Sequence, residues 1–233
     1  MKTPYLLLGW GLSFLFLCTL APAKDEGGDP NRWLSEKQEQ ALSDSVPPPP
    51  APNSAKDQAD RDEIMHIQQT RTEDMENEAV RDKTFSYFLF QSVYGKNILP
   101  EGYPKFYELL KNVTATTRVI DDAAKSKYKR PRPYLGHPEV VKALFSVNGY
   151  SYPSGHAMGS FTLATVLSAI FPDKKQAFFD RAAQIAQSRV NAGVHYPSDI
   201  KEGGILGQKT GDAIVTTQSF QADLAAVQAE LMK

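Results

Sequence analysis

Apolar positions along this chain recur at intervals of three and four residues, the spacing that places side chains on one face of an α-helix. Four stretches carry this pattern, and each predicts a helix with a buried face. Their apolar positions are Phe106, Leu109, Leu110, Val113 and Ile120 after Pro104; Leu163, Val166, Leu167 and Ile170; Phe178, Ala182 and Ile185 within Gln176–Gln187; and Phe220, Leu224, Val227 and Leu231. No stretch alternates apolar and polar residues as a strand does. The pattern predicts an all-α fold, a single helical-bundle domain.

Two less regular stretches precede these helices. Residues 57–82 are highly charged with sparse apolar positions, which predicts a surface helix and a solvated His66. The aromatic-rich stretch Thr84–Tyr94 predicts a buried segment that Gly95 ends.

Another helix is predicted to begin at Pro197-Ser198, and it carries glycine at every fourth position. These glycines are Gly203, Gly207 and Gly211. Each costs about 1 kcal/mol relative to alanine in a helix interior. The sequence therefore predicts that another helix approaches closely along this glycine face.

The N-terminal part of the chain predicts two segments outside the domain of residues 59–233. Residues 1–23 carry Lys2, an apolar run and Ala21-Pro22-Ala23, as a cleavable secretory signal peptide does; an uncleaved anchor is the alternative. Residues 24–58 are polar and are broken by the run 47–52, which holds five of the sixteen prolines; this predicts an extended polyproline arm rather than a helix. Such an arm would lie across the domain or lead to a partner subunit.

Composition narrows the class of protein. The 233 residues are 41% hydrophobic, which suits one domain with a sizeable core, and the formal net charge of −1 offers no general attraction for nucleic acid. Cys18 is the only cysteine and falls within the predicted signal, so the mature chain would contain no disulfide or cysteine-based site. These features fit a periplasmic or secreted protein.

Positive charge is concentrated in two places. Five cations lie between Lys125 and Pro133, where two prolines predict an extended loop. Arg189 continues the buried stripe of the Gln176–Gln187 helix, and a buried arginine is costly unless an anion or a carboxylate meets it.

The turn Ser154-Gly155 offers a place for such an anion. It precedes a predicted helix, and the N-terminus of a helix has unpaired N–H groups and a partial positive charge that attract phosphate. His156 would lie in the first turn of this helix, beside the anion.

Together these clusters resemble the three-part signature of the type 2 phosphatidic-acid phosphatase superfamily. The signature reads Lys, six residues, Arg-Pro; then Pro-Ser-Gly-His; then Ser-Arg, five residues, His, three residues, Asp. The matching residues are Lys125, Arg132, Pro133, Pro153, Ser154, Gly155, His156, Ser188, Arg189, His195 and Asp199. Arg130-Pro131 is a second Arg-Pro pair, but its spacing would require a lysine at Ala123. With its signal and proline arm, the chain resembles a class A bacterial non-specific acid phosphatase.

The resemblance implies a metal-independent phosphomonoesterase of broad specificity that needs no cofactor. Lys125, Arg132 and Arg189 would bind the phosphate oxygens, because phosphoryl transfer depends mainly on positioning and on stabilising negative charge. The Ser154 hydroxyl and the backbone N–H groups near Gly155–His156 would add donors. The implied partners are small phosphate monoesters and further copies of the chain, without nucleic acid or stable membrane insertion.

The resemblance also implies a covalent mechanism. His195 would attack as the nucleophile and form a phosphohistidine, while Asp199 would fix its tautomer. His156 would be the general acid for the leaving group. Since the two imidazoles need opposite protonation states, we expect a bell-shaped pH profile on the acidic side.

Other functions remain open from the sequence. The superfamily also contains lipid and isoprenoid phosphate phosphatases that span membranes, but the longest mature apolar stretch, Gly159–Phe171, is too short to span. A vanadium-dependent haloperoxidase would use the same anion pocket, and a non-catalytic phosphate-binding module would not need the His–Asp pair. A metal site at His156, His195 and Asp199 is disfavoured by the three neighbouring cations.

Two departures from the family pattern bear on substrate preference. Asn191 and Ala192 lie where relatives often carry a disulfide near the last motif. The stretch Thr84–Gly95 is bulkier than the small residues expected at the mouth of the site. The preferred ester therefore cannot be carried over from the family.

Overall fold

The computed structural model describes residues 33–233, and within this range the chain forms helices and no strand. The predicted all-α class is confirmed. The α-helices are α1 (Glu36–Asp44), α2 (Ala55–Thr70), α3 (Glu73–Arg81), α4 (Gln91–Tyr94), α5 (Pro104–Tyr128), α6 (Pro133–Gly136), α7 (Gly155–Ile170), α8 (Lys175–Asn191), α9 (Pro197–Val215) and α10 (Gln218–Leu231), with short 3-10 helices at Tyr87–Phe90 and Pro172–Lys174. The predicted signal peptide and the start of the arm lie outside the described residues.

Helix α7 is the centre of the bundle. It makes its most extensive contacts with α9 and packs also against α8 and α5. Its predicted stripe is buried, with Leu163, Val166 and Leu167 at 0% exposure. The long helix α5 and the C-terminal α10 contribute their predicted apolar faces to the same core. The positions of these four predicted helices are therefore confirmed.

The glycine face of α9 lies directly against α7, as predicted. A Cβ atom on Gly203 would stand 2.5 Å from the carbonyl oxygen of Ser154, and one on Gly207 would stand 2.9 Å from the carbonyl carbon of Met158. No side chain fits at these distances, so the two helices approach closely only because the glycines lack one. This contact holds the N-terminal ends of α7 and α9 together.

The cationic stretch 125–133 is only partly a loop, and the prediction of an extended loop from Lys125 onward is wrong. Helix α5 continues through it to Tyr128 and ends at Lys129, whose φ of 50° is left-handed. A proline restricts the residue immediately before it, here Arg130, and leaves earlier residues able to remain helical. Lys125 therefore projects from a helix, which fixes its position better than an extended loop would.

The charged stretch 57–82 forms two helices, and the prediction of one is wrong. Arg71 ends α2 in extended conformation, and the Thr72 side chain accepts a hydrogen bond from the backbone N–H of Met75 at 3.3 Å. A threonine that caps a helix in this way starts a new one. His66 is exposed, as expected. The two helices place α3 against α8.

The polar arm contains a helix that the sequence interpretation excluded. Ser35 and Gln38 form a capping box that starts α1, so capping outweighs the polar composition of this segment. The proline run that follows is not helical and lies across the domain, as predicted: the Tyr152 hydroxyl donates to the Pro47 carbonyl at 2.7 Å, and Val46 is buried in the core.

The aromatic stretch Thr84–Tyr94 is buried only in part. Phe90 and Tyr94 are buried as expected, whereas Phe88 is 45% exposed. Gly95 follows with a φ of 134°, which confirms its role in ending the segment. Within residues 33–233, no helix combines the length and the apolar character needed to cross a bilayer.

Candidate functional site

A cavity of about 140 Å³ lies at the N-terminal end of α7. Six parts of the fold surround it: α5, the segment before α6, the segment between α6 and α7, the first turn of α7, the end of α8 and the turn before α9. Its lining residues are Asp121, Lys125, Arg132, Val147, Gly155, His156, Arg189, Val194 and His195. All the site residues named from the sequence line the cavity except Ser154 and Asp199, which lie directly behind it.

His195 is buried and is held through both ring nitrogens. Its Nδ1 lies 3.3 Å from an Asp199 carboxylate oxygen, and its Nε2 lies 3.1 Å from Nη1 of Arg132. A guanidinium can only donate, so this contact requires an unprotonated Nε2 and leaves the proton on Nδ1. Burial lowers the pKa of His195 to about 4; the bond to Asp199 opposes this shift, and the charges of Arg132 and Lys125 add to it. The ring is therefore neutral above this pH.

Asp199 has no exposed surface and is surrounded by donors. It accepts hydrogen bonds from Nη1 of Arg130 at 2.7 Å, from the backbone N–H of Tyr196 at 2.8 Å and from the Ser151 hydroxyl, besides His195. Burial alone would raise the pKa of Asp199, but the hydrogen bond from His195, the charge of Arg130 and the bond from Ser151 outweigh it and lower the pKa. The carboxylate therefore remains ionised and keeps the His195 tautomer.

Arg130 is the main residue of the site that sequence reasoning missed. Its guanidinium forms ion pairs with Asp199 at 2.7 Å and Asp60 at 2.9 Å, and lies 3.8 Å from the centre of the Tyr196 ring. Asp60 in turn accepts from the backbone N–H of Ser198 at 3.0 Å. The second Arg-Pro pair, which the signature spacing sets aside, thus connects α2 to the residues behind His195.

Arg132 is fixed by backbone carbonyls. Its Nε donates to Gly149 at 3.0 Å, its Nη2 to Asn148 at 3.0 Å and its Nη1 to Val194 at 2.9 Å. These bonds place the guanidinium beside His195, and no carboxylate of residues 33–233 forms an ion pair with it. Burial lowers the pKa of Arg132, but arginine stays charged throughout the physiological range.

Arg189 is 1% exposed and carries an unused donor. Its Nη2 donates to the Ala79 carbonyl at 2.6 Å, and its Nε donates to the Ser188 hydroxyl at 3.1 Å. Its Nη1 is buried and has no hydrogen-bond partner among the described residues. Burial lowers the pKa of Arg189 to about 10, with Asp82 opposing and Arg132 adding to the shift. A buried charged donor without a partner is costly, and an anion in the adjoining cavity would satisfy it.

His156 lies on the same side of the cavity as Arg189. Its Nε2 lies 3.1 Å from the Asp82 carbonyl and 3.2 Å from the Lys83 carbonyl, and since both are acceptors, Nε2 carries the proton. The ring also packs edge-on against Phe85. Burial lowers the pKa of His156 to about 3, with Arg189 and His195 adding to the shift and the two carbonyls opposing it.

Lys125 and Ser154 complete the predicted set. Lys125 donates from Nζ to the Asp121 carboxylate at 2.8 Å and to the Pro153 carbonyl. Ser154 is the N-cap of α7, where its hydroxyl accepts from the backbone N–H of Ala157 at 3.4 Å. Its own N–H donates to the backbone of Asp199 at 3.0 Å. The backbone N–H groups of Gly155 and the next residue have no partner within the helix, because they belong to its first turn.

The comparison with known families agrees with this geometry. Residues 109–221 match the PAP2 superfamily. The chain contains a PAP2 superfamily domain. Every signature residue, from Lys125 to Asp199, falls inside the matched range.

The chain is also similar to relatives with curated names. The chain is 36% identical over 150 residues to a non-specific acid phosphatase of Salmonella typhimurium, which covers 61% of this chain and 59% of the relative. It is 30% identical over 156 residues to a non-specific acid phosphatase of Providencia stuartii, covering 62% and 60% of the two chains. The match thus spans about three fifths of each relative.

Two solved structures have a similar fold. A transmembrane PAP2-type phosphatidylglycerolphosphate phosphatase from Bacillus subtilis superposes with a TM-score of 0.52 at 21% identity over 76% of this chain and 90% of its own. A bacterial vanadium-dependent iodoperoxidase superposes with a TM-score of 0.63 at 17% identity over 84% of this chain and 59% of its own. At such identities the likeness describes the fold alone.

Beyond Arg130, the structure adds Ser151 and Asp121 to the residues named from the sequence. Ser151 lies two residues before the Pro153-Ser154-Gly155-His156 motif, and nothing in its spacing indicates a bond to Asp199. Asp121 lies four residues before Lys125, a spacing that predicts a helical ion pair but does not reveal the cavity beside it. Among residues 33–233, no group of three His, Cys, Asp or Glu side chains is arranged to hold a metal ion.

Proposed function

We propose that this chain is an acid phosphatase that hydrolyses phosphate monoesters through a phosphohistidine intermediate on His195. One observation carries the proposal: Nε2 of His195 is unprotonated and lies on the wall of a small cavity lined by three cations. Its lone pair accepts from Nη1 of Arg132, and a phosphate oxygen that takes over this guanidinium donor would free the lone pair for attack. A neutral imidazole beside a cationic cavity is suited to attack a bound phosphoryl group.

Binding of the ester would use the donors that the fold leaves at the cavity. Lys125, Arg132 and Arg189 supply three positive charges, and Nη1 of Arg189 gains the partner that it needs. The unpaired N–H groups of Gly155 and His156 point out of the N-terminus of α7 and add hydrogen bonds to the phosphate oxygens. Ser154 supports this turn as the helix cap.

In the first step, Nε2 of His195 forms a bond to phosphorus while the bond to the leaving oxygen breaks. His156 gives a proton to that oxygen, so an alcohol departs and a phosphohistidine remains. Asp199 stabilises the positive charge that develops on the His195 ring. In the second step, water attacks phosphorus, His156 takes a proton from it, the N–P bond breaks, and phosphate leaves with His195 neutral again.

The position of the His156 proton follows from its contacts. Because Nε2 already donates to the carbonyls of Asp82 and Lys83, the transferable proton belongs on Nδ1. A bound phosphate ester brings up to two negative charges close to His156 and raises its pKa from about 3. Substrate binding therefore creates the acid that the first step needs, and activity is favoured on the acidic side of neutrality.

The same proposal covers the setting of the enzyme. Residues 1–23 are a signal peptide, residues 24–58 form an arm and residues 59–233 form the phosphatase domain of a periplasmic or secreted protein. The mature protein assembles as a homo-oligomer and does not insert stably into membranes. Cell fractionation with N-terminal sequencing tests the cleavage after Ala23, and size-exclusion chromatography with light scattering tests the assembly.

A panel of aryl, sugar and nucleotide phosphates assayed across pH 4–8 tests the activity. We expect broad turnover with an acidic optimum, undiminished by EDTA and inhibited by vanadate. Lipid phosphates in detergent and oxidation of iodide with vanadate and peroxide are the two comparison assays. A preference for lipid phosphates, halide oxidation without phosphatase activity, or a loss of turnover in EDTA would contradict the proposal.

A further inference from the structure

Asp121 is a carboxylate in a cavity otherwise suited to anions. It lines the cavity together with Lys125, Arg132 and Arg189. One of its oxygens accepts from Nζ of Lys125 at 2.8 Å, and the side chains of this pair are only 13% and 15% exposed. Asp121 therefore neutralises one of the three cations before any substrate arrives.

The other oxygen of Asp121 lies at the N-terminus of α7. A Cβ atom on Gly155, the first residue of this helix, would stand 2.5 Å from Oδ2 of Asp121. The carboxylate thus fills the space that a side chain on Gly155 would take. This is the end of the helix where unpaired N–H groups and the helix dipole attract an anion. Asp121 and a phosphate group therefore draw on the same positive charges.

The surroundings decide when Asp121 is ionised. On its own helix it meets Lys125 and Asp122; Arg132 follows that helix, and His156, Arg189 and His195 line the rest of the cavity. Helix α1 packs elsewhere on α5, with Glu36 and Glu39 near Val119, Ile120 and Ala123. Burial raises the pKa of Asp121 although Lys125 opposes the shift.

We propose that Asp121 limits the affinity of the site for phosphate, as an internal anion that competes with substrate and product and that protonation at acidic pH removes. This inference rests on the proposed function of the same cavity. It gives the site a way to release phosphate near neutral pH, where an ionised Asp121 repels it. At low pH the protonated carboxyl becomes a hydrogen-bond donor and binding tightens.

Calorimetric titration with inorganic phosphate tests the idea without turnover. Wild type, Asp121→Asn and Asp122→Asn are compared at several pH values between 4 and 8. Asp122 is the matched control, since its side chain is 67% exposed and pairs with Arg118 on the surface. At pH 7.5 we expect Asp121→Asn to bind phosphate at least about tenfold more tightly than wild type, because one repulsive charge is removed. Asp122→Asn should bind as wild type does.

Phosphate itself titrates in this pH range, and it does so equally for wild type and Asp121→Asn. The ratio of the wild-type dissociation constant to that of Asp121→Asn therefore reports the contribution of Asp121 alone. We expect this ratio to fall toward one as the pH approaches 4. Equal affinities at every pH, or weaker binding by Asp121→Asn, would overturn the inference and leave Asp121 as a support for Lys125. Melting temperatures verify that the variant is folded, and Asp121→Ser replaces it if it is not.

The same titration separates this inference from the proposed function. A wild-type protein that binds phosphate and hydrolyses esters, with an unchanged Asp121→Asn, contradicts the role of Asp121 alone. A wild-type protein that neither binds phosphate nor turns over esters contradicts both. Tighter binding by Asp121→Asn, together with stronger inhibition by phosphate in the assay, supports both.

Discussion

The two sides of the cavity are built differently. On the His195 side, both ring nitrogens and the Asp199 carboxylate have fixed partners, and Arg130 is held behind them between carboxylates. On the opposite side, Arg189 contacts a backbone carbonyl of α3 and His156 contacts carbonyls just after that helix, while one guanidinium nitrogen of Arg189 has no partner among the described residues. Under the proposed mechanism, the first side orients the nucleophile before substrate binds, and the second completes its hydrogen bonding only with the substrate.

The largest expected effect comes from removing His195, the proposed nucleophile on the oriented side. We expect His195→Ala to lower kcat/KM for p-nitrophenyl phosphate by at least about 10⁴-fold, because it removes the atom that forms the bond to phosphorus. His66→Ala, on an exposed face of α2, is the matched control and should keep full activity. Steady-state kinetics measure both, and circular dichroism verifies the fold. Retention of a tenth of the activity by His195→Ala would contradict the covalent mechanism.

The unused donor of Arg189 predicts the next largest effect. Arg189→Lys keeps the charge but loses the planar fork, so kcat/KM should fall by about 10³-fold. Inhibition by vanadate should weaken in parallel. Arg118→Lys serves as the control because its side chain is 83% exposed. If Arg189→Lys loses stability but keeps its affinity for vanadate, Arg189 has a structural role and does not bind the phosphate group.

His156 should matter in proportion to the leaving group. An alkyl phosphate needs a proton on its departing oxygen, whereas p-nitrophenolate hardly needs one. We expect His156→Ala to lose about 10² to 10³-fold on glycerol phosphate and about tenfold or less on p-nitrophenyl phosphate. The ratio of the two rates is the measurement. An equal loss on both substrates would show that His156 only positions phosphate.

The smallest effect on activity is expected from Arg130, which lies behind His195 and Asp199. Arg130→Gln leaves Asp199 and Asp60 without their cation, which costs about 3 kcal/mol of unfolding free energy and raises the pKa of both Asp199 and His195. Activity requires His195 neutral, so the acidic limb of the kcat/KM profile should move to higher pH. The maximal rate should fall by about 10- to 100-fold.

Arg130→Lys is the conservative partner of that variant. It keeps a positive charge near Asp199. The acidic limb of its kcat/KM profile should therefore return close to the wild-type pH, while its maximal rate should recover only in part. A profile that stays in place in Arg130→Gln, with only a lower melting temperature, would reduce Arg130 to a structural role.

The difference between the two sides also marks what the sequence can predict. The motifs contain every residue of the oriented side except Arg130, Asp60 and Ser151, and the glycines of α9 predicted the helix contact that brings Asp199 to Ser154. These features follow from spacing within and between helices. They depend on local helical periodicity and on glycine, which has no side chain, and both can be identified directly in the amino-acid sequence.

The other side depends on contacts that spacing does not reveal. The carbonyls of Ala79, Asp82 and Lys83 meet Arg189 and His156 across more than seventy residues, and any residue type supplies a carbonyl. The extension of α5 to Tyr128 was likewise not predicted, because Pro131 restricts only Arg130, the residue before it, and leaves earlier residues free to be helical. Asp121 could be paired with Lys125 from the sequence, but its place at the start of α7 required the fold.

The most direct test of the central claim is to identify the phosphorylated residue during turnover. Enzyme mixed with radiolabelled aryl phosphate is quenched in alkaline denaturant, which preserves phosphohistidine, and digested with trypsin. Residues 190–201 and 143–174 form separate peptides, the first containing His195 and the second His156. We predict label on His195 in peptide 190–201, and none in His195→Ala. Label on His156 or on a serine, or turnover without any labelled peptide, would contradict the account.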